Sequence, residues 1–382
     1  MKKQNKREEI LEDIQRIVIK VGTSTLTDEN GQLDLQKMKK IVVEISNLQD
    51  KGFDVILVSS GAVGAGMGLL EIEERPKLLS EKQMLSAVGQ VTLMQVYQTF
   101  FKKYDKLIGQ LLLTKEEFSD RKRYLNVRNV CNAFLDRKII PVINENDAIV
   151  SDELKLKVGD NDTMSALVSG LIDADLLIIL SDIDGLYNKN PRKYEDANLI
   201  EIVGDISEDI KNMAGEKGSK FGTGGMITKI MAAEMATKIG TNLVIVNGDD
   251  PRNISRVVEK ENIGTLFVRK NKKISAKKYW LAYGPDKKGE VVIDEGAEKA
   301  LLSGKSLLPI GIKSVFETFD RGGVLEIKNS KNKIIANGIS NYSSDEIELI
   351  KGQKSEDIEK ILGHKYDNVV IHADNIVLIE NV

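Results

Sequence analysis

Cysteine is nearly absent from this chain: Cys131 stands alone among 382 residues. No disulfide can therefore form within it, no thiolate cluster can hold a metal, and a reducing compartment is expected. Histidine is almost as scarce, with His364 and His372 both near the C-terminus, so the first 363 residues hold no imidazole for acid–base work. No apolar run approaches the roughly 20 residues needed to span a bilayer, which leaves a membrane out of the expected partners. The stretch from Met1 to Asp13 is rich in Lys and Glu without an apolar centre, unlike a secretory leader. A cytoplasmic location is expected. A formal net charge of −3 argues against wholesale binding of nucleic acid. What is present is ordinary globular material, 41% hydrophobic and 30% charged.

The length suggests two domains. Between Ile17 and about Val268, short β-branched runs alternate with amphipathic stretches, the pattern of an α/β domain around a largely parallel sheet. Strands are expected at Ile17–Val21, Val55–Ser59, Leu107–Leu113, Ile139–Ile143, Leu176–Leu180 and Leu243–Val246, and their apolar character suits cover on both faces. Helical periodicity marks Met38–Gln49, Glu81–Tyr104, Asn126–Asp136, Thr163–Leu171 and Met226–Ile239, with Gly52 and Gly240 at C-terminal cap positions. A basic stretch, Lys270 to Lys273, reads as a linker between a first domain, residues 1–270, and a second, residues 276–382. Beyond it, Glu290–Ile293, Gly322–Ile327 and Lys333–Ala336 are short β-like pieces with glycine turns. They imply a small, mainly-β unit.

Ligands of open α/β sheets bind outside the carboxyl ends of the strands, and four unusual loops lie there. Lys20-Val21-Gly22-Thr23-Ser24 brings a lysine, a glycine turn and hydroxyls together, suited to a phosphate, although a plain turn beside a solvated lysine would read the same. Ser59 to Gly68 is glycine-rich and opens a helix; its N–H groups could cradle an anion, or its glycines could serve close packing. Leu69 stands where a dinucleotide fingerprint needs its last glycine, so this is not a Rossmann loop. Asn144-Glu145-Asn146-Asp147, followed by Gly159-Asp160-Asn161-Asp162, offers amides and carboxylates that can hold an ammonium group and a carboxylate at once. Capping explains Asp160 or Asn161 but not the first four. Gly222 to Lys229 runs from glycines into a helix with lysine in its first turn, where a cation opposes the macrodipole unless an anion binds. It is not a Walker A loop.

Lysines, backbone donors and carboxylates without histidine or a conventional nucleophile fit phosphoryl transfer, which needs positioning and charge neutralisation above all. An acceptor carboxylate, with a pKa of about 4.3, is already ionised near neutrality and needs no general base.

In this order the loops resemble the amino-acid kinase superfamily, and within it the glutamate 5-kinases. The matching motifs are Lys20 to Ser24, Ser59 to Ala62, Asn144 to Asp147 with Gly159 to Asp162, Gly222 to Lys229, and Ser181 to Tyr187 on the nucleotide side. The resemblance implies a three-layer αβα kinase domain that moves the ATP γ-phosphoryl group to the glutamate side-chain carboxylate, with Mg²⁺ on the nucleotide. Carried over by position, Lys20 and Lys229 stabilise the migrating group and Asp162 orients them. Ser60, Gly61, Asn144, Asp147 and Asn161 bind glutamate. Lys20, Ser181, Asp182, Thr223, Gly224, Gly225, Met226, Ile227, Thr228 and Lys229 contact ATP. Residues from about Ala276 to Gln353, with Gly296, Ala297 and Ser306 to Ser314, resemble a PUA module, which in other proteins binds RNA; RNA binding is the rival reading of the chain. Proline as feedback inhibitor, a homo-oligomer (dimer or tetramer) and hand-off to glutamyl phosphate reductase are implied by the same resemblance. Leu154 to Lys157 lengthens the loop before Gly159 relative to that family.

Overall fold

The computed structural model describes residues 2–28, 31–74, 76–149, 161–213, 225–270, 280–281 and 287–379. The chain divides into two units, one of residues 1–117 and 125–273, the other of residues 118–124 and 274–382. The expected linker, from residue 271 on, lies outside the described residues, as do Gly159, Asp160 and the segment 154–157.

The first unit is built on a sheet whose strands are β1 (Arg16–Val21), β2 (Asp54–Ser59), β3 (Leu107–Leu113), β4 (Ile139–Glu145), β5 (Leu176–Ser181), β6 (Ile202–Val203), β7 (Asn242–Asn247) and β8 (Thr265–Phe267). Their order is β3-β4-β2-β1-β5-β7-β8-β6. All neighbours run parallel except β7 with β8. The helices along this part of the chain are α1 (Lys2–Ile10), α2 (Thr23–Leu26), α3 (Leu35–Asp50), α4 (Ala62–Leu69), α5 (Leu79–Lys102), α6 (Lys115–Ser119), α7 (Arg121–Asp136), α8 (Asn161–Leu171), α9 (Glu208–Met213), α10 (Met226–Lys238) and α11 (Asn253–Val258). Helix α3 starts on Asp34, whose carboxylate accepts from the Gln36 and Lys37 amides. Gly52 and Gly240, both at positive φ, follow α3 and α10 as their sequence positions suggest.

Strand alternation decides which side chains meet which helices. Ile17, Ile19 and Val21 of β1 join Val55 and Leu57 of β2 and Ile41 and Ile45 of α3 in one core. Val18 and Lys20 therefore point to the opposite face, where α8 and α10 pack together. Both faces of the central strands are buried, as a parallel sheet requires. Strand β3 departs from the expectation of two-sided cover: Leu107 is 68% exposed. Its apolar run resembles those of the central strands, but β3 is the edge strand.

The second unit holds a mixed five-stranded sheet of order β10-β9-β11-β12-β13, with β9 (Gly289–Ile293), β10 (Ile312–Phe316), β11 (Val324–Lys328), β12 (Ile334–Ile339) and β13 (Ile376–Leu378). Val291, Ile293, Leu325 and Ile327 fill its core. A helix over Ser344–Ile350 begins with a capping box between Ser343 and Glu346.

Candidate active site

The carboxyl ends of β1, β2, β4 and β5 carry, in turn, Lys20, Ser60, Asn144 and Ser181, so loops far apart in sequence converge at one edge of the first unit's sheet. At its centre Asp162 is fully buried on the first turn of α8. Lys20 Nζ lies 2.6 Å from Asp162 Oδ1, and Lys229 Nζ, on the first turn of α10, donates to Oδ2 at 3.2 Å. Both lysines are less than one-tenth exposed. The Thr228 hydroxyl lies 3.0 Å from Asp162 Oδ2 and 2.8 Å from the Gly225 carbonyl, so its single proton serves one of the two at a time.

Burial alone would raise the Asp162 pKa, but the charges of Lys20 and Lys229 and the Lys20 and Thr228 hydrogen bonds outweigh it and hold the carboxyl down to about 2. Among the described residues, two ammonium groups face this one carboxylate in a nearly dry site. That is an environment for an anion. Gly22 keeps the space open, since a Cβ there would lie 3.2 Å from Lys20 Nζ.

Beside this charged cluster lies a neutral corner. Asn161 Nδ2 donates to Ser60 Oγ at 2.7 Å and to Asn144 Oδ1 at 3.1 Å, while its own Oδ1 is buried and has no partner among the described residues. Asn144 Nδ2 donates to Gln90 Oε1 at 2.9 Å, and the Ser86 hydroxyl donates to Asp147 at 3.2 Å. Gly61 takes φ of 100° as α4 starts, a conformation that favours glycine.

On the far side of β5, Ser181 donates to Asp182 at 3.3 Å, and exposed Asp182 pairs with Arg192 at 3.2 Å. Asp184 accepts from Asn247 and from Tyr187. Gly225, Met226 and Ile227 open α10, with Ile227 exposed. Thr223 and Gly224 lie outside the described residues.

The glycines after β2 divide by role. A Cβ at Gly66 would lie 2.1 Å from the Leu85 carbonyl oxygen, and one at Gly89 only 1.8 Å from that of Ala62. They permit α4 and α5 to pack closely, and for Gly66 this is the structural role that the sequence left open against phosphate binding. Sequence reasoning missed Ser86, Gln90 and Arg192. Ser86 and Gln90, four residues apart on one helix face and both nearly buried, are polar residues in an apolar stripe, and that pattern was the available signal.

A buried pair of lysines sharing one carboxylate at the edge of a parallel sheet places the molecule among the phosphotransferases of the amino-acid-kinase type. The model of the amino acid kinase family matches residues 15–247, and that of the PUA domain residues 289–362. A glutamate 5-kinase of Caldanaerobacter subterraneus subsp. tengcongensis is 51% identical over 366 residues, covering 96% of this chain and 98% of its own. One from Thermoanaerobacter sp. (strain X514) is 49% identical with the same coverage, and one from Haemophilus influenzae (strain PittGG) is 44% identical over 95% of this chain and 98% of its own. The chain belongs to the glutamate 5-kinases within the amino acid kinase family.

Proposed function

We propose that this chain transfers the γ-phosphoryl group of ATP to the side-chain carboxylate of L-glutamate, giving L-glutamyl 5-phosphate and ADP, the first step of proline biosynthesis. The Lys20–Asp162–Lys229 cluster carries this reading. It supplies paired, pre-positioned cations at the carboxyl ends of the strands and no general base, which is what an already ionised acceptor requires.

In the reaction a glutamate carboxylate oxygen forms a bond to the γ-phosphorus as the bond to the ADP oxygen breaks. Lys20 and Lys229 turn toward the transferring group and neutralise its equatorial oxygens, and Asp162 keeps them within reach. The amides opening α10, from Gly225 to Thr228, with Thr223 and Gly224 before them, receive nucleotide phosphate, and Ser181 and Asp182 take the nucleotide side. Because the Thr228 hydroxyl is engaged with Asp162 and Gly225, residue 228 meets the nucleotide through its backbone. Asp162 is already held by two lysines and a hydroxyl, so this carboxylate would not hold Mg²⁺; the ion would arrive with the nucleotide and would supply further charge neutralisation.

Ser60, Gly61, Asn144, Asp147 and Asn161 hold glutamate. Residues 1–270 form the catalytic domain and residues 276–382 the PUA-like domain. The family resemblance supports proline as feedback inhibitor, a homo-oligomer (dimer or tetramer) and hand-off of the labile acyl phosphate to a glutamyl phosphate reductase. Among the described residues no helix is long and apolar enough to cross a membrane, in keeping with work in the cytoplasm. The test is ADP release across glutamate, aspartate, N-acetylglutamate, carbamate and a nucleoside monophosphate. Glutamate gives the highest kcat/KM; preference for any other acceptor overturns the assignment.

A further inference from the structure

The polarity of the neutral corner is set by groups that cannot be turned around. The Glu145 backbone N–H donates to Asn144 at 2.9 Å, so the accepting atom of Asn144 is Oδ1, and its Nδ2 faces Gln90 Oε1 at 2.9 Å. Since Asn144 Oδ1 is an acceptor, the Asn161 atom 3.1 Å from it is Nδ2, which also approaches the Ser59 backbone carbonyl at 3.4 Å. Asn161 Nδ2 then donates to Ser60 Oγ at 2.7 Å. One acceptor is left over, the buried Asn161 Oδ1, which has no partner among the described residues. One donor is left over too, because Ser60 Oγ already accepts and its proton is free to point away.

We propose that Gln90 is a positioning residue for the amino-acid acceptor: its side-chain oxygen accepts from Asn144 Nδ2 and holds in place the amide whose polarity the Glu145 N–H sets, so that Asn161 presents Oδ1 to an α-ammonium group and Ser60 its hydroxyl to a carboxylate oxygen. The proposal rests on the reading of the acceptor as a free α-amino acid. A leftover buried acceptor is costly unless a ligand donor fills it, and an ammonium group with three N–H bonds is such a donor. Gln90 is 8% exposed, which removes water as a substitute acceptor for Asn144. Its distance from the corner is fixed by the neighbouring Gly89, packed so closely on the Ala62 carbonyl that a side chain there would lie 1.8 Å from the oxygen. Ala62 opens α4 directly after Ser60 and Gly61. Helix α5 is therefore packed directly against the start of α4 that follows the Ser60 loop.

Gln90→Met removes the acceptor at nearly constant volume, whereas Gln90→Glu keeps an oxygen in place. Hydroxamate formation is followed while glutamate and ATP are varied in turn. Gln90→Met raises the glutamate KM about tenfold, the effect of one buried hydrogen bond, with much smaller changes in kcat and in the ATP KM. Gln90→Glu returns the glutamate KM to within about threefold of wild type, by the same one-bond scale. If circular dichroism shows Gln90→Met unfolded, Gln90→Ala is compared in its place, with the same expectation. An unchanged glutamate KM, equal losses for both substrates, or no rescue by Glu overturns the proposal while the functional reading stands. Active wild type that makes no hydroxamate from glutamate overturns both.

Discussion

Two corners of the same sheet edge solve the problem of a buried polar site in opposite ways. Around Asp162 the groups are charged, mutually paired and almost free of water; around Asn161 they are uncharged amides and a hydroxyl, with the Asp147 carboxylate held nearby by Ser86, and two backbone groups fix the amides' direction. A charged cluster holds its geometry by Coulomb attraction and stays ready to trade one anion, Asp162, for another, a phosphoryl group. A neutral network cannot exchange partners in that way, and its specificity lies in the one acceptor it leaves open. The proposed function assigns rate to the first corner and acceptor affinity to the second.

Mutations that separate rate from affinity sharpen this comparison. Lys229→Met is expected to lower kcat by about 10²–10³, the usual cost of losing one pre-positioned donor, with glutamate KM changed far less; steady-state kinetics with both substrates checks it. Gly89→Ala strikes the packing that serves the neutral corner. Its Cβ would lie 1.8 Å from the Ala62 oxygen, so thermal unfolding should show a loss of about 1–3 kcal/mol. Acid tests the charged corner. The Asp162 pKa is depressed in the folded state to about 2 from an ordinary 3.8, so it contributes stability at neutral pH. That contribution, about 2 kcal/mol, is fully present above roughly pH 5 and is lost as pH falls toward 2. Urea unfolding between pH 6 and pH 3 should therefore show wild type losing more stability than Asp162→Asn. Ser60→Ala is the smallest change. It is expected to raise the glutamate KM about tenfold, one lost hydrogen bond, while leaving the ATP KM near its original value, and equal rises in both would erase the distinction between the corners.

Much of this arrangement is legible in the residues themselves. The β1 alternation fixes which face Lys20 takes, and the loops after β2 and β4 and before α10 bring the other polar groups to the same edge. What cannot be read is which way a helix turns and what lies beside a strand. The apolar run of β3 looks like a central strand because apolar content does not record whether a neighbour or a helix follows on the outer side. Ser86 and Gln90 sit within a helix that otherwise contributes many residues to the core, and only the pairing of α5 with the end of β4 and the loop after it reveals what they meet. Thr228 shows the same limit on a smaller scale. A hydroxyl in a glycine-rich phosphate loop reads as a ligand contact, yet its bonds go to Asp162 and Gly225. The return of β13 to pair with β12 is another contact between segments far apart in sequence, closed by register at Ala336 with Leu378, which no local pattern announces.

The most direct test of the account is ATP-dependent trapping of the acyl phosphate: ATP, Mg²⁺, glutamate and hydroxylamine, with wild type beside folded Lys229→Ala. Wild type is expected to give γ-glutamyl hydroxamate, with near-complete loss in the mutant. Hydroxamate formed equally by both, or ATP consumed by wild type without any hydroxamate, would contradict it.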